Sequence, residues 1–179
     1  MKKEGICRIC GNYGKLTFEH VPPQSAFNSN PVFFPKSVHL HDKKSYLYGK
    51  KIRSNQGAGG YYLCKSCNNL TGSYYGDSYK KFAYIGMMAL TYRIWASKII
   101  TFEYAIKPLN ILKQILAMFM AIDTSEQLLN LEGLANFILD KDSKDLPGYF
   151  GVMVPPVSVK QCHFERSFNY TKKNVLSVF

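Results

Sequence analysis

Four cysteines form two matched pairs, Cys7/Cys10 and Cys64/Cys67, each a Cys-x-x-Cys loop. Such a loop holds two thiolates about one sulfur–sulfur edge apart, and two loops complete a tetrahedral four-thiolate site that suits zinc. A shell closed in this way leaves no open position for substrate. The expected role of Zn2+ here is therefore structural, pinning two distant stretches of chain together. Those stretches carry Glu19 and His20, soon after the first pair, and Asn68, directly after the second. An acid, a base and an amide at one locus can hold a hard divalent ion and activate water. Hydrolysis of a phosphodiester needs a deprotonated water, charge neutralised on the phosphate and a stabilised leaving oxygen, and a divalent ion supplies the last two. Histidine is the natural base near neutral pH because its ordinary pKa is about 6.5. An amide oxygen is an acceptable ligand for Mg2+.

Two disulfides are the competing reading of four cysteines. The chain opens Met1-Lys2-Lys3-Glu4, without the apolar run of a secretory leader. A reducing, cytoplasmic setting is thus expected, in which this spacing reads as metal binding. Residues 11–63 separate the pairs, where the common template has roughly 15–20 residues, so a functional insert is expected between them. The fifth cysteine, Cys162, reads as an inert core thiol.

A hydrophobic content of 46% with 20% charged residues excludes a disordered chain. No apolar run reaches the roughly 18 residues of a membrane span; the longest, 111–122, is interrupted by Lys113 and Gln114. The net charge of +11 is unevenly placed. Residues 1–81 hold 13 Lys and Arg against Glu4, Glu19, Asp42 and Asp77, a balance of +9, while residues 82–179 hold 10 against 8, a balance of +2. A basic half carrying the metal motifs points to a docked polyanion, with a solvated basic face as the bland alternative.

Positioning falls to a few short elements. Residues 15–20 alternate polar and apolar and read as a strand, ended by Pro22-Pro23, so His20 sits at a strand terminus. Residues 24–60 are rich in breakers and charge. Lys43, Lys44, Lys50, Lys51 and Arg53 interleave with Tyr46 and Tyr48, a pattern that can hold a phosphate backbone while stacking on bases, or simply pack as a two-stranded edge. The run Gly57-Ala58-Gly59-Gly60 lacks the Gly-Lys-Ser/Thr of a phosphate loop. After Cys67 the pattern turns helical, with Asn68 able to cap the start. Apolar positions from Phe82 to Trp95 recur every three to four residues, Pro108 opens a second helix, and Ser125 to Ile138 suggests a third. The methionines Met87, Met88, Met118 and Met120 read as core filler. Strands are expected at 149–154 and 162–170.

At Cys7-x-x-Cys10, Glu19-His20-x-Pro22 and Leu63-Cys64-x-x-Cys67-Asn68, the sequence resembles the HNH (ββα-metal) endonucleases. More narrowly, the stretches at 19–23 and 67–76 look like an uncharacterised bacterial and phage branch. The resemblance covers residues 6–82 or so. It implies a zinc-stapled hairpin-plus-helix core, placed in residues 1–98, and with the mainly helical extension and short C-terminal β segment that the residue pattern gives for 99–179 the expected class is α+β. It also implies that His20 is the general base and that Glu19 and Asn68 hold a catalytic Mg2+ or Mn2+. The asparagine that steers the base in this family has Asn55 as its nearest candidate, upstream of the expected place. The implied partner is nucleic acid, with DNA expected over RNA, and the helical extension could engage a protein or a second copy. The competing expectation is a non-catalytic zinc module that binds nucleic acid or protein, as a phage or host regulator would. His39 and His41, in the insert, read as surface imidazoles.

Overall fold

A computed structural model of the chain describes residues 3–35, 42–95 and 105–148. In chain order the elements are β1 (Glu4–Ile6), β2 (Tyr13–His20), β3 (Val32–Pro35), β4 (Lys51–Ser54), β5 (Gly59–Cys64), α1 (Lys65–Trp95), α2 (Pro108–Ile122) and α3 (Leu134–Leu139). The class is mixed α and β, as expected. Strands β1, β2 and β5 form an antiparallel sheet with β2 in the centre, and β3 pairs with β4 as a separate two-stranded ribbon. The expected strands at 149–154 and 162–170, together with Cys162, His39 and His41, lie outside the described residues.

The first cysteine pair sits in the loop from β1 to β2. Gly11 takes φ +72° there, a left-handed turn that a glycine adopts freely, and its N–H donates to the Cys7 carbonyl at 2.9 Å. Strand β5 pairs with β2 and runs directly into α1, so the second cysteine pair spans the strand–helix junction. A register shift between Thr17 and Phe18 leaves Tyr62 as the extra residue on β5, and its carbonyl accepts from the Arg8 N–H at 3.1 Å. Residues 51–54, in the breaker-rich stretch, form a strand because Val32 to Pro35 provides a partner, which is the two-stranded edge that the sequence left open.

One apolar cluster joins the cysteine segments to the helices that follow. It contains Cys7, Ile9, Leu16, Leu63, Cys67 and Tyr75 together with Leu116, Ala117, Met120, Ala121, Leu134, Phe137 and Ile138. Polar ties reinforce it. The Tyr75 hydroxyl donates to the Ile138 carbonyl at 2.6 Å, and Arg8 Nη1 donates to the Ala121 carbonyl at 2.6 Å with its guanidinium over the Tyr62 ring. Lys113, which looked like an interruption of the apolar run, is fully buried: its Nζ donates to the Asp140 carbonyl at 2.6 Å and lies 4.7 Å from the centre of the Phe137 ring. Burial pushes the Lys113 pKa below its ordinary value.

Two expectations about the helices are corrected. The stripe along the second half of α1 is not a buried face among the side chains described, since Phe82 and Met88 are exposed and Ile85 and Ala89 only half-buried. The buried face of α1 is earlier, at Cys67, Thr71 and Tyr75. The cause is where α2 begins: Asn110 Nδ2 donates to the Tyr74 carbonyl and to Ser78 Oγ, and from there α2 runs back along α1 toward the cysteines. Met118 and Met120 are core filler as expected, whereas Met87 and Met88 are not. The third helix spans only Leu134–Leu139. Before it, the Asp123 carboxylate takes the N–H groups of Ser125 and Leu128 and holds a turn, and Gly133 enters the helix at φ +78°.

Candidate functional site

The four cysteine sulfurs all lie within 4.8 Å of one another. A tetrahedral shell with metal–sulfur bonds near 2.3 Å has edges of about 3.8 Å, and Cys10 Sγ stands 3.9 Å from Cys64 Sγ. The Cys67 N–H donates to Cys64 Sγ at 3.5 Å, as a knuckle amide does toward a thiolate. None of the four is in a disulfide. The cluster can therefore hold a metal ion such as zinc. Its electrostatics agree with a cation site: the bond from the Cys67 thiol draws the Cys7 pKa down to about 4, and that same bond, with burial, pushes Cys67 up. Burial also pushes Cys10 up. Four sulfurs crowded together cannot all ionise without a cation among them.

Beside this cluster, the end of β2, the segment 23–25 and the first turns of α1 enclose a cleft of about 240 Å³. Glu19, His20 and Asn68 all line it. Asn68 is corrected as a helix cap, because α1 already starts at Lys65. Its Nδ2 instead donates to Thr17 Oγ1 at 3.0 Å and to the Phe18 carbonyl at 3.1 Å, which ties the helix to β2. Both amide hydrogens are thereby used on β2, leaving Oδ1 as the free end of that amide. Glu19 is buried at 9% exposure, and burial alone raises its pKa to about 7. A carboxyl raised by burial in this way gains from a cation beside it. The His20 ring meets Phe18 edge-on, centres 4.9 Å apart, and its backbone pairs with Gly59.

The residue that fixes this strand end is Asn28, one of the breakers in residues 24–60. Its Nδ2 donates to the carbonyls of Pro22 and Ala58 at 2.6 and 2.7 Å, and its Oδ1 accepts from the Ala58 N–H at 2.7 Å. The Ala58 carbonyl also accepts from the Val21 N–H at 3.0 Å. A buried amide thus clamps the chain just after His20 to the chain just before Gly59. Glycine is required on both flanks of Ala58. A Cβ at Gly57 would collide with the Asn28 carbonyl, and one at Gly59 with the Glu19 carbonyl. Asn55 is exposed in the turn after β4 and is not among the residues lining the cleft.

Lys43, Lys44, Lys50, Lys51 and Arg53 are all exposed and stand on the ribbon and the segment leading into it, outside the cleft lining. Lys50 Nζ sits 4.6 Å from the centre of the Tyr46 ring, and the Arg53 guanidinium 5.9 Å from that of Phe33. Phe33 and Tyr46 are exposed at 63% and 81%. The cleft also takes Gly72, Gly76 and Asp77 from α1 and Gln114 from α2. Sequence reasoning missed these four. For the glycines a signal was available, since Asn68, Gly72 and Gly76 fall on one helical face at four-residue steps. No helix among the described residues is long and apolar enough to cross a membrane.

No family model matches this chain. No curated protein and no solved structure matches it either.

Proposed function

We propose that the chain is a metal-dependent endonuclease of the HNH (ββα-metal) type that cleaves phosphodiester bonds of nucleic acid, with DNA the favoured substrate. The observation that carries this reading is that Glu19, His20 and Asn68, from a strand end and a helix start, line one cleft next to the four-cysteine cluster. Zinc at Cys7, Cys10, Cys64 and Cys67 would be the staple. A Mg2+ or Mn2+ ion at the Glu19 carboxylate and Asn68 Oδ1 would neutralise phosphate charge and stabilise the leaving oxygen. His20 takes the proton from the attacking water, and its strand end is held in place by the Asn28 clamp. This clamp does the steering that Asn55 was expected to do. The ribbon, with its exposed lysines, Arg53 and aromatic rings, holds the strand by phosphate contact and stacking.

The direct experiment is nicking of supercoiled plasmid by protein carrying its cysteine-bound metal, with Mg2+ or Mn2+ added. Wild type should nick, and His20→Ala should not, with metal content and melting temperature nearly unchanged. A folded, metal-loaded wild type that cuts neither plasmid nor single strands defeats the reading. The non-catalytic binding module then stands. One observation favours that second reading: among the described residues, the cysteine cluster is the only group of three or more His, Cys, Asp or Glu side chains placed to hold a metal.

A further inference from the structure

We infer that Gln114, on α2, is a third protein oxygen for the divalent ion of the cleft, so that the helical segment completes a site the β2–α1 core only begins. This inference rests on the endonuclease reading for the presence of an ion. Gln114 is 1% exposed and lines the same cleft as Glu19 and Asn68. Its Oε1 is the one buried side-chain oxygen or nitrogen without a hydrogen-bond partner among the described residues. An acceptor buried without a donor is costly, and a buried amide oxygen in that state is matched by a cation or by a donor on a water or ligand. The lining decides which. The protein carries a net charge of +11, yet neither a lysine nor an arginine lines this cleft, which instead presents Glu19 and Asp77. A carboxylate and amide oxygens are the donor set of a hard divalent ion, and Mg2+ keeps several waters beside one or two protein ligands.

Room for those waters is also present. Gly72 and Gly76 follow Asn68 at four-residue steps on α1, and a Cβ built on either meets nothing within 4 Å. Each glycine lowers helix stability relative to alanine, and a Cβ at either would meet no neighbour in the packing. Their effect is an open floor beside Asn68 and Asp77 in a cleft of about 240 Å³. In sequence terms, α2 keeps a polar residue in its most apolar stretch because that residue faces the ion.

The test is Mn2+ binding followed by electron paramagnetic resonance on the full chain with its cysteine-bound metal in place, without nucleic acid. Wild type should bind one Mn2+, Glu19→Gln should lose it, and Gln114→Leu should weaken binding at least tenfold while its melting temperature without Mn2+ is equal or higher. Gln114→Glu should restore binding, since it returns an oxygen ligand. Wild-type affinity in folded Gln114→Leu, with binding lost in Glu19→Gln, overturns the role of Gln114 and leaves the endonuclease reading intact. No Mn2+ binding by wild type overturns the ion itself, and both readings go together.

Discussion

The cysteine centre and the cleft share β2, β5 and α1, yet they are built in opposite ways. The centre uses four identical donors, brought within 4.8 Å of one another, and its shell is closed. The cleft brings together unlike polar groups from a strand end, a helix start and a second helix, and it is open. A closed set of like ligands stabilises a fold, because metal binding there is folding free energy. An open set of unlike groups is a place for a ligand, and its cost is visible in Glu19, a carboxyl buried without compensation. The comparison teaches where stability and chemistry reside in this chain. Stability should depend on the centre, and chemistry on the cleft.

The largest expected effect follows from the centre. Cys67→Ser should lose the bound metal and cooperative unfolding, since structural zinc contributes on the order of 10 kcal/mol or more in small domains. Elemental analysis with a thermal melt checks this, and a metal-free variant that melts like wild type would erase the distinction between the two sites. Next comes the clamp that joins the cleft to the ribbon. Asn28→Ala should destabilise by about 3 kcal/mol, as it removes three hydrogen bonds of a buried amide and strands the Ala58 N–H. Denaturant unfolding measures it.

Glu19 sharpens the comparison through pH. Its pKa is raised in the folded chain from 4.5 to about 7. Its favourable contribution is thus whole below pH 4.5 and lost as pH rises through 7, where the carboxylate ionises in a buried place. Glu19→Gln should therefore be more stable than wild type at pH 8, by on the order of 3 kcal/mol, and nearly equal to it at pH 4. Adding Mn2+ at pH 8 should stabilise wild type and leave Glu19→Gln unmoved. Melting curves at the two pH values decide, and a wild type that gains stability from pH 4 to 8 relative to Glu19→Gln would contradict the assignment. The smallest stability effect is expected on the ribbon. Reversing charge at Lys50, Lys51 and Arg53 together should shift melting little, while the salt dependence of nucleic-acid binding flattens by about three counterions.

The same contrast explains what was legible in the sequence. Cys7, Cys10, Cys64 and Cys67 announce themselves because a Cys-x-x-Cys loop fixes its own geometry, so local spacing carries the information. Glu19, His20 and Asn68 could be placed together only by reasoning that the cysteines staple their segments. Gln114 and Asn28 were not legible. Their roles depend on which backbone or cleft each faces after α2 folds back along α1 and the insert closes on β2. The expected stripe at Phe82 to Trp95 misled for the same reason. Periodicity shows that a face is apolar, but α2 begins opposite Tyr74 and Ser78 and so covers only the earlier part of α1.

The separation of the two sites is tested most directly by removing the metals in order. Plasmid nicking should be measured on protein treated with a mild chelator that strips exchangeable ions and leaves the cysteine-bound metal, with the latter quantified in the same sample. Nicking should vanish after treatment and return on addition of Mg2+ or Mn2+, with the cysteine-bound metal constant at one per chain. Nicking that persists without an exchangeable ion, or that fails only when the cysteine-bound metal leaves, would contradict a cleft that does chemistry beside a centre that only holds the fold.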